Sequence, residues 1–189
     1  MSTDRVEFWF GEGFSGLHPL LQRLHRQGGV LEGEVELATG AGLAGWLGRR
    51  LAGKLGIPLG ARRVPLRVDI HCDESGLHWN RRFAGSAPLV SLFRPVGHWP
   101  DGHWEECTGA LRLALKVDTR DGGWRWVPIA AWVRGIRVPL ALLPRTTAYK
   151  RIEGGHYHFY VGFSLPGLGE LFSYSGGLEL LPAGTAGGA

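Results

Sequence analysis

From Ala61 onward the chain is a succession of alternating apolar and polar runs joined by turn-forming clusters, and no helical pattern separates one run from the next. Parallel strands need crossovers of a dozen or more residues, usually helical, so these strands must pair antiparallel. Val64, Leu66, Val68 and Ile70 alternate with Arg63, Arg67, Asp69 and His71, "DESG" at 73–76 turns the chain, "LHWNRRF" returns, and "AGSAP" turns it again into "LVSLFR". After the turn in "GHWPDGHW" comes a long run from His103 to Asp118, in which Leu111, Leu113, Leu115 and Val117 share a face. "WRWVPIAAWVR", "GIRVPLALLP", "AYKRIE", "HYHFYVGFSL" and "ELFSYSGGLELL" complete the set, for about seven or eight strands after the last helix. So many strands in one small domain must curl. The expected fold is α+β and mostly β: a strongly curved antiparallel sheet or barrel, calycin-like or helix-grip-like, with two N-terminal helices packed on it.

Both helices precede that run. Ser15 can cap the first, in which Leu17, Leu20, Leu21 and Leu24 recur at helical spacing and Pro19 is tolerated in the first turn. "VLEGEVELATG" follows as a strand with Val35 and Leu37 opposed to Glu34 and Glu36. The second helix spans 41–55 and places Leu43, Trp46, Leu47, Leu51 and Leu55 on one stripe, opposite Arg49, Arg50 and Lys54. Its glycines at 42, 45, 48 and 53 each weaken an isolated helix by up to about 1 kcal/mol, so its stability must come from close docking. The length of 189 residues suits one well-cored domain, expected over 14–181, with a loosely ordered segment at 1–13 and a disordered tail at 182–189.

Composition narrows the function classes. The net charge of +4 and pI of about 9.4 would admit an anionic partner, but the arginines are scattered among aromatic and glycine residues, so nucleic acid is not the expected partner. Cys72 and Cys107 lack CxxC spacing, and the first ten residues lack the apolar core of a secretory signal, which makes the cytoplasm the default compartment. The longest stretch without Asp, Glu, Lys or Arg, Gly154 to Gly169, contains two histidines and a proline and is no membrane span. "GAGLAGWLG" at 40–48 follows a strand and opens a helix, as a phosphate loop would, yet no βα repeat follows it. No cofactor is expected. Nor is a metal: His156 and His158 fall on the face opposite Tyr157, Phe159, Val161 and Phe163, and no third ligand is evident.

Several motifs in a fixed order carry a family resemblance: "LHPLLQRLH" at 17–25, the helix ending "LGIP", "HWNRRF" at 78–83, "WEECTG" at 104–109, "GIRVPLALLP" at 135–144 and "LPGLGELFSYSGGL" at 165–178. Over roughly residues 17–180 the chain resembles the bacterial domain-of-unknown-function family 4166. Members occur alone or fused to other domains, including saccharopine-dehydrogenase-like oxidoreductases. The resemblance implies domain limits and a bacterial, intracellular setting; it carries over no catalytic residue.

The residues themselves nominate one site. In "HWNRRF" alternation puts Trp79, Arg81 and Phe83 on one face. An inward guanidinium needs an acidic partner, a hydrated cavity or a bound anion. Carrying the alternation of Leu111 to Val117 backwards along the run to His103 places Glu105 on the same side as Arg81, with Glu106 outside; a β-bulge at "RR" or "EEC" would exchange these roles. The pair either fills one end of the sheet as a plain ion pair or orients the polar end of a ligand. On the second reading Trp79, Phe83, Phe93, Trp126, Phe159 and Tyr174 supply the walls of a cavity for a small apolar or amphipathic molecule. An enzyme using Glu105 as acid or base with Arg81, and an interaction module for an NAD-dependent oxidoreductase, are the alternatives.

Overall fold

A computed structural model describes residues 5–182. Their elements are α1 (Arg5–Phe10), α2 (Pro19–Gln27), β1 (Gly29–Thr39), α3 (Gly42–Lys54), β2 (Arg63–Cys72), β3 (Leu77–Phe83), β4 (Leu89–Val96), β5 (His103–Thr108), β6 (Leu111–Asp118), β7 (Trp124–Val133), β8 (Ile136–Val138), β9 (Arg145–Glu153), β10 (His156–Leu165) and β11 (Gly169–Leu180). Hydrogen bonding runs β6-β5-β4-β3-β2-β1-β11-β10-β9-β7, and a β6–β7 pairing joins the ends. Every pairing is antiparallel, so the sheet is a closed ten-stranded barrel. One edge of β7 is shared: Trp124–Trp126 pairs with β9 and Ala131–Val133 with the short β8. Closure leaves the ten ring strands without the open edge that invites pairing with other chains.

Ten strands follow α3 where seven or eight were counted, chiefly because the run 103–118 is two strands. A turn at Gly109 and Ala110, with Gly109 at φ +57, folds it into a hairpin that pairs Thr108 with Leu111 and Glu106 with Leu113. In β1 and β2 the alternation holds. Val64, Leu66, Val68 and Ile70 are buried, as are Val35 and Leu37.

The N-terminal segment corrects the expectation of loose order, at least over 5–13. Val6, Trp9 and Phe10 of α1 are almost wholly buried, and Trp9 packs edge-on against Trp104 with ring centroids 5.3 Å apart. Full burial of rings this size stabilises by about 1.5–3 kcal/mol each, enough to hold a short helix with few internal hydrogen bonds. Residues 1–4 and 183–189 of the expected flanks lie outside the described residues. Leu17, just ahead of helix α2, and Leu21 and Leu24 within it are buried as expected, but the helix cap is the His18 ring, whose Nδ1 accepts from the Leu20 amide at 3.2 Å; the Ser15 hydroxyl instead donates to the Glu12 carbonyl.

Helix α3 docks through its backbone. Leu47, Leu51 and Leu55 pack on the core as expected, whereas Leu43 and Trp46 are exposed and the buried positions are Ala44, Gly45, Gly48 and Ala52. A Cβ on Gly48 would stand 2.1 Å from the Leu171 carbonyl oxygen, and one on Gly40 only 1.9 Å from that of Glu170. The helix therefore lies directly against β11, closer than any side chain would permit. Gly40, Gly42 and Gly45 keep the GxGxxG spacing of a dinucleotide loop, so context decides their meaning. Here β1 has antiparallel neighbours on both sides and the glycines serve helix–strand contact.

Candidate functional site

The inward faces of the barrel enclose a cavity of about 290 Å³. That is at the lower edge of the roughly 300–1,000 Å³ typical of ligand pockets. Most of its wall is aliphatic or aromatic. Leu51, Leu55 and Ile57, at and beyond the C-terminal end of α3, form part of that wall.

The charged group in "HWNRRF" that enters the cavity is Arg81, as parity required. Trp79, Phe93, Trp126, Phe159 and Tyr174 line the same space. Phe83 does not: it is fully buried beside the cavity, edge-on to Tyr174 at 5.4 Å, and supports that wall from behind. Glu105 is also displaced from its expected place. Its partner is Arg112 at 3.2 Å, and the carboxylate that lines the cavity is Glu106, 3.9 Å from Arg81. The hairpin at Gly109–Ala110 explains the exchange. Residues paired across a hairpin share a face although they differ by an odd number along the chain, so counting in twos from Leu111 through the turn inverts the parity of β5. Cys107, on the same face of β5 as Glu105, does not line the cavity, and among the described residues no disulfide joins it to Cys72.

Arg81 is held by a directed network. Its Nη1 donates to Tyr174 Oη at 3.1 Å and its Nη2 donates to Ser91 Oγ. Thr108 Oγ1 donates to Glu106 Oε1 at 3.3 Å, so it must accept from Ser91, 3.0 Å away. The relay runs one way, from guanidinium to carboxylate, and each hydroxyl is used once in each direction. Burial opposes the charge on Arg81, but the Tyr174 oxygen and Glu106 more than offset it and raise its pKa. Two donors of the cavity wall are buried with no protein acceptor, Arg81 Nε and Trp79 Nε1.

Nothing in the spacing of charged residues singled out the second polar feature. Lys150 on β9 is 4% exposed, lines the cavity, and lies between two indole rings, its Nζ 4.0 Å from the Trp79 centroid and 4.1 Å from that of Trp124. Its hydrogen-bond partner is His25 Nε2 of α2 at 2.8 Å. Burial drives the Lys150 pKa well below that of an exposed lysine, and burial together with the nearby Lys150 drives that of His25 well below 6.5. Continuing the inward set Thr146, Ala148 to its next member would have found Lys150. Helical spacing from Leu21 would have found His25.

On the outside, His71, Asp73 and His78 bring three potential ligand atoms within 4.8 Å at the β2–β3 turn. The expectation of no metal was argued from His156 and His158 and did not consider this trio. Its present contacts close the turn: Asp73 accepts from the Ser75 amide at 2.7 Å and pairs with His78 at 3.0 Å, while the two imidazoles stack at 4.5 Å.

A family model described as a domain of unknown function, DUF4166, matches residues 17–178. No curated protein and no solved structure matches the chain.

Proposed function

Because the chain belongs to the DUF4166 family, whose description assigns no activity, we propose a function from the barrel itself: it is a binding module that holds one small apolar or amphipathic molecule in the central cavity. The observation that carries this reading is the cavity wall, mostly aliphatic and aromatic apart from the Arg81–Glu106 network, Lys150, Thr146 and the tyrosines Tyr149 and Tyr157, with Arg81 Nε and Trp79 Nε1 left as buried donors that no protein group satisfies. A buried donor without an acceptor costs about 1–3 kcal/mol, which an oxygen of the ligand's polar end would recover. The tail of the molecule would lie against Phe93, Phe159 and Val161. Native mass spectrometry of protein purified from its own host tests the reading. A retained small molecule, lost on denaturation, is the expected result; uniformly unliganded protein from several growth conditions counts against it.

The exposed Val127, Ile129, Val133 and Ile136 on β7 and at the start of β8 favour a second reading, contact with a partner domain such as an oxidoreductase. Co-purification of such a partner, lost in Ile136→Glu, would support it.

A further inference from the structure

Lys150 lies in the barrel wall without a counter-ion. Among the described residues no carboxylate pairs with it; its neighbours are the two indole faces and the ring of His25, itself stacked on Trp124 at 4.4 Å with Nδ1 buried and unpartnered. Two π faces attract an ammonium. Full burial with no opposite charge nevertheless favours the free amine, and a buried lysine amine is a nucleophile at neutral pH where an exposed one is not. The chain contains only two other lysines, Lys54 and Lys116, and both are exposed.

We propose that Lys150 is a carbonyl-reactive amine of the cavity, forming a reversible imine with an apolar aldehyde or ketone seated against Trp79 and Phe159. The proposal rests on the binding reading above. In the reaction the Nζ lone pair forms a bond to the carbonyl carbon, and one amine proton passes to the carbonyl oxygen to give a carbinolamine. The second amine proton then leaves with that hydroxyl as water, and the C=N bond closes. No electrons are exchanged with an outside group. His25 Nε2, 2.8 Å from Nζ, is the base nearest to the amine.

The test compares decanal with decanol, which has the same chain length and no carbonyl. At neutral pH the protein is incubated with decanal and sodium cyanoborohydride, which reduces an imine to a stable secondary amine. Peptide mapping then locates the added alkyl group, separating the three lysines and the α-amino group. Quenching of tryptophan fluorescence reports decanol binding. The proposal expects selective alkylation of Lys150 at least tenfold above Lys54 and Lys116 in protein that binds decanol, and a Lys150→Met variant in which no other amine takes up the selective label. Decanol binding with Lys150 unlabelled, or labelled no faster than the exposed lysines, overturns the imine and leaves the binding reading standing. Binding of neither ligand overturns both. If Lys150→Met fails to fold, the wild-type map alone decides.

Discussion

At the scale of single residues, a one-position change of parity separates Glu106 from Glu105, and the two make opposite forecasts. Glu106 receives the end of the Arg81–Ser91–Thr108 relay in the cavity wall, whereas Glu105 meets a half-exposed Arg112. Glu106→Gln should lower unfolding free energy by about 1–3 kcal/mol in urea titrations, because it weakens the support of a buried guanidinium. Glu105→Gln should change it by less than about 0.5 kcal/mol. Equal losses would contradict the assignment. Lys150 gives the second forecast. Its folded pKa is depressed, so between that value and the unfolded value near 10.4 the unfolded chain binds the proton that the folded chain lacks. Stability from this group therefore falls as pH falls through the window, by up to about 1.4 kcal/mol per pH unit. Lys150→Met should be more stable than the parent at pH 7, with an advantage that shrinks as pH approaches 10; denaturant midpoints across that range check the sign. Lys150 was not legible as a site, and Glu106 as the partner of Arg81 was legible only as the exchange that a bulge at "EEC" would make. Sequence gives the parity of a side chain along one strand, while the partner of a buried charge depends on which strands and helices close over it.

At the scale of elements, the strands were legible wherever apolar residues alternate without interruption, as in β2, β10 and the inner positions of β1. The failures have local physical causes. The β5–β6 hairpin was hidden because a two-residue turn containing a single glycine leaves the leucine alternation on its far side intact, so nothing in the apolar pattern marks the reversal. Helix α3 lies where helical spacing puts it, and Leu47, Leu51 and Leu55 of its apolar stripe face the core, but Leu43 and Trp46 do not, because the rest of the buried face is set by close backbone approach through glycine and alanine. That explanation predicts opposite effects for two chemically identical changes. Gly53→Ala, whose Cβ meets nothing within 4 Å, should stabilise by about 0.5–1 kcal/mol through helix propensity. Gly48→Ala should destabilise by about 1–3 kcal/mol, since its Cβ would stand 2.1 Å from the Leu171 carbonyl oxygen. Thermal unfolding of both variants by circular dichroism distinguishes docking by backbone contact from docking by the leucine stripe.

At the scale of the whole molecule, antiparallel strands with inward alternation implied a curved sheet or barrel, and the barrel is closed. Whether its interior is filled could not be read from the chain, because the same large rings pack a core or line a space depending on how far apart the walls stand. Here Trp9, Trp104 and Trp124, with Phe10 and Phe14 of the N-terminal segment, are buried almost completely, while Trp79, Phe93, Trp126 and Phe159 stand around open volume. Ligand binding in this volume is tested by titrating the protein with the fluorophore 1-anilinonaphthalene-8-sulfonate, whose rings suit the apolar wall and whose sulfonate suits Arg81. Saturable binding at one site is expected in the folded parent and its loss in Val161→Trp, which fills the cavity, with the circular dichroism spectrum of that variant unchanged. Undiminished binding in a folded Val161→Trp, or none in the parent, would contradict it.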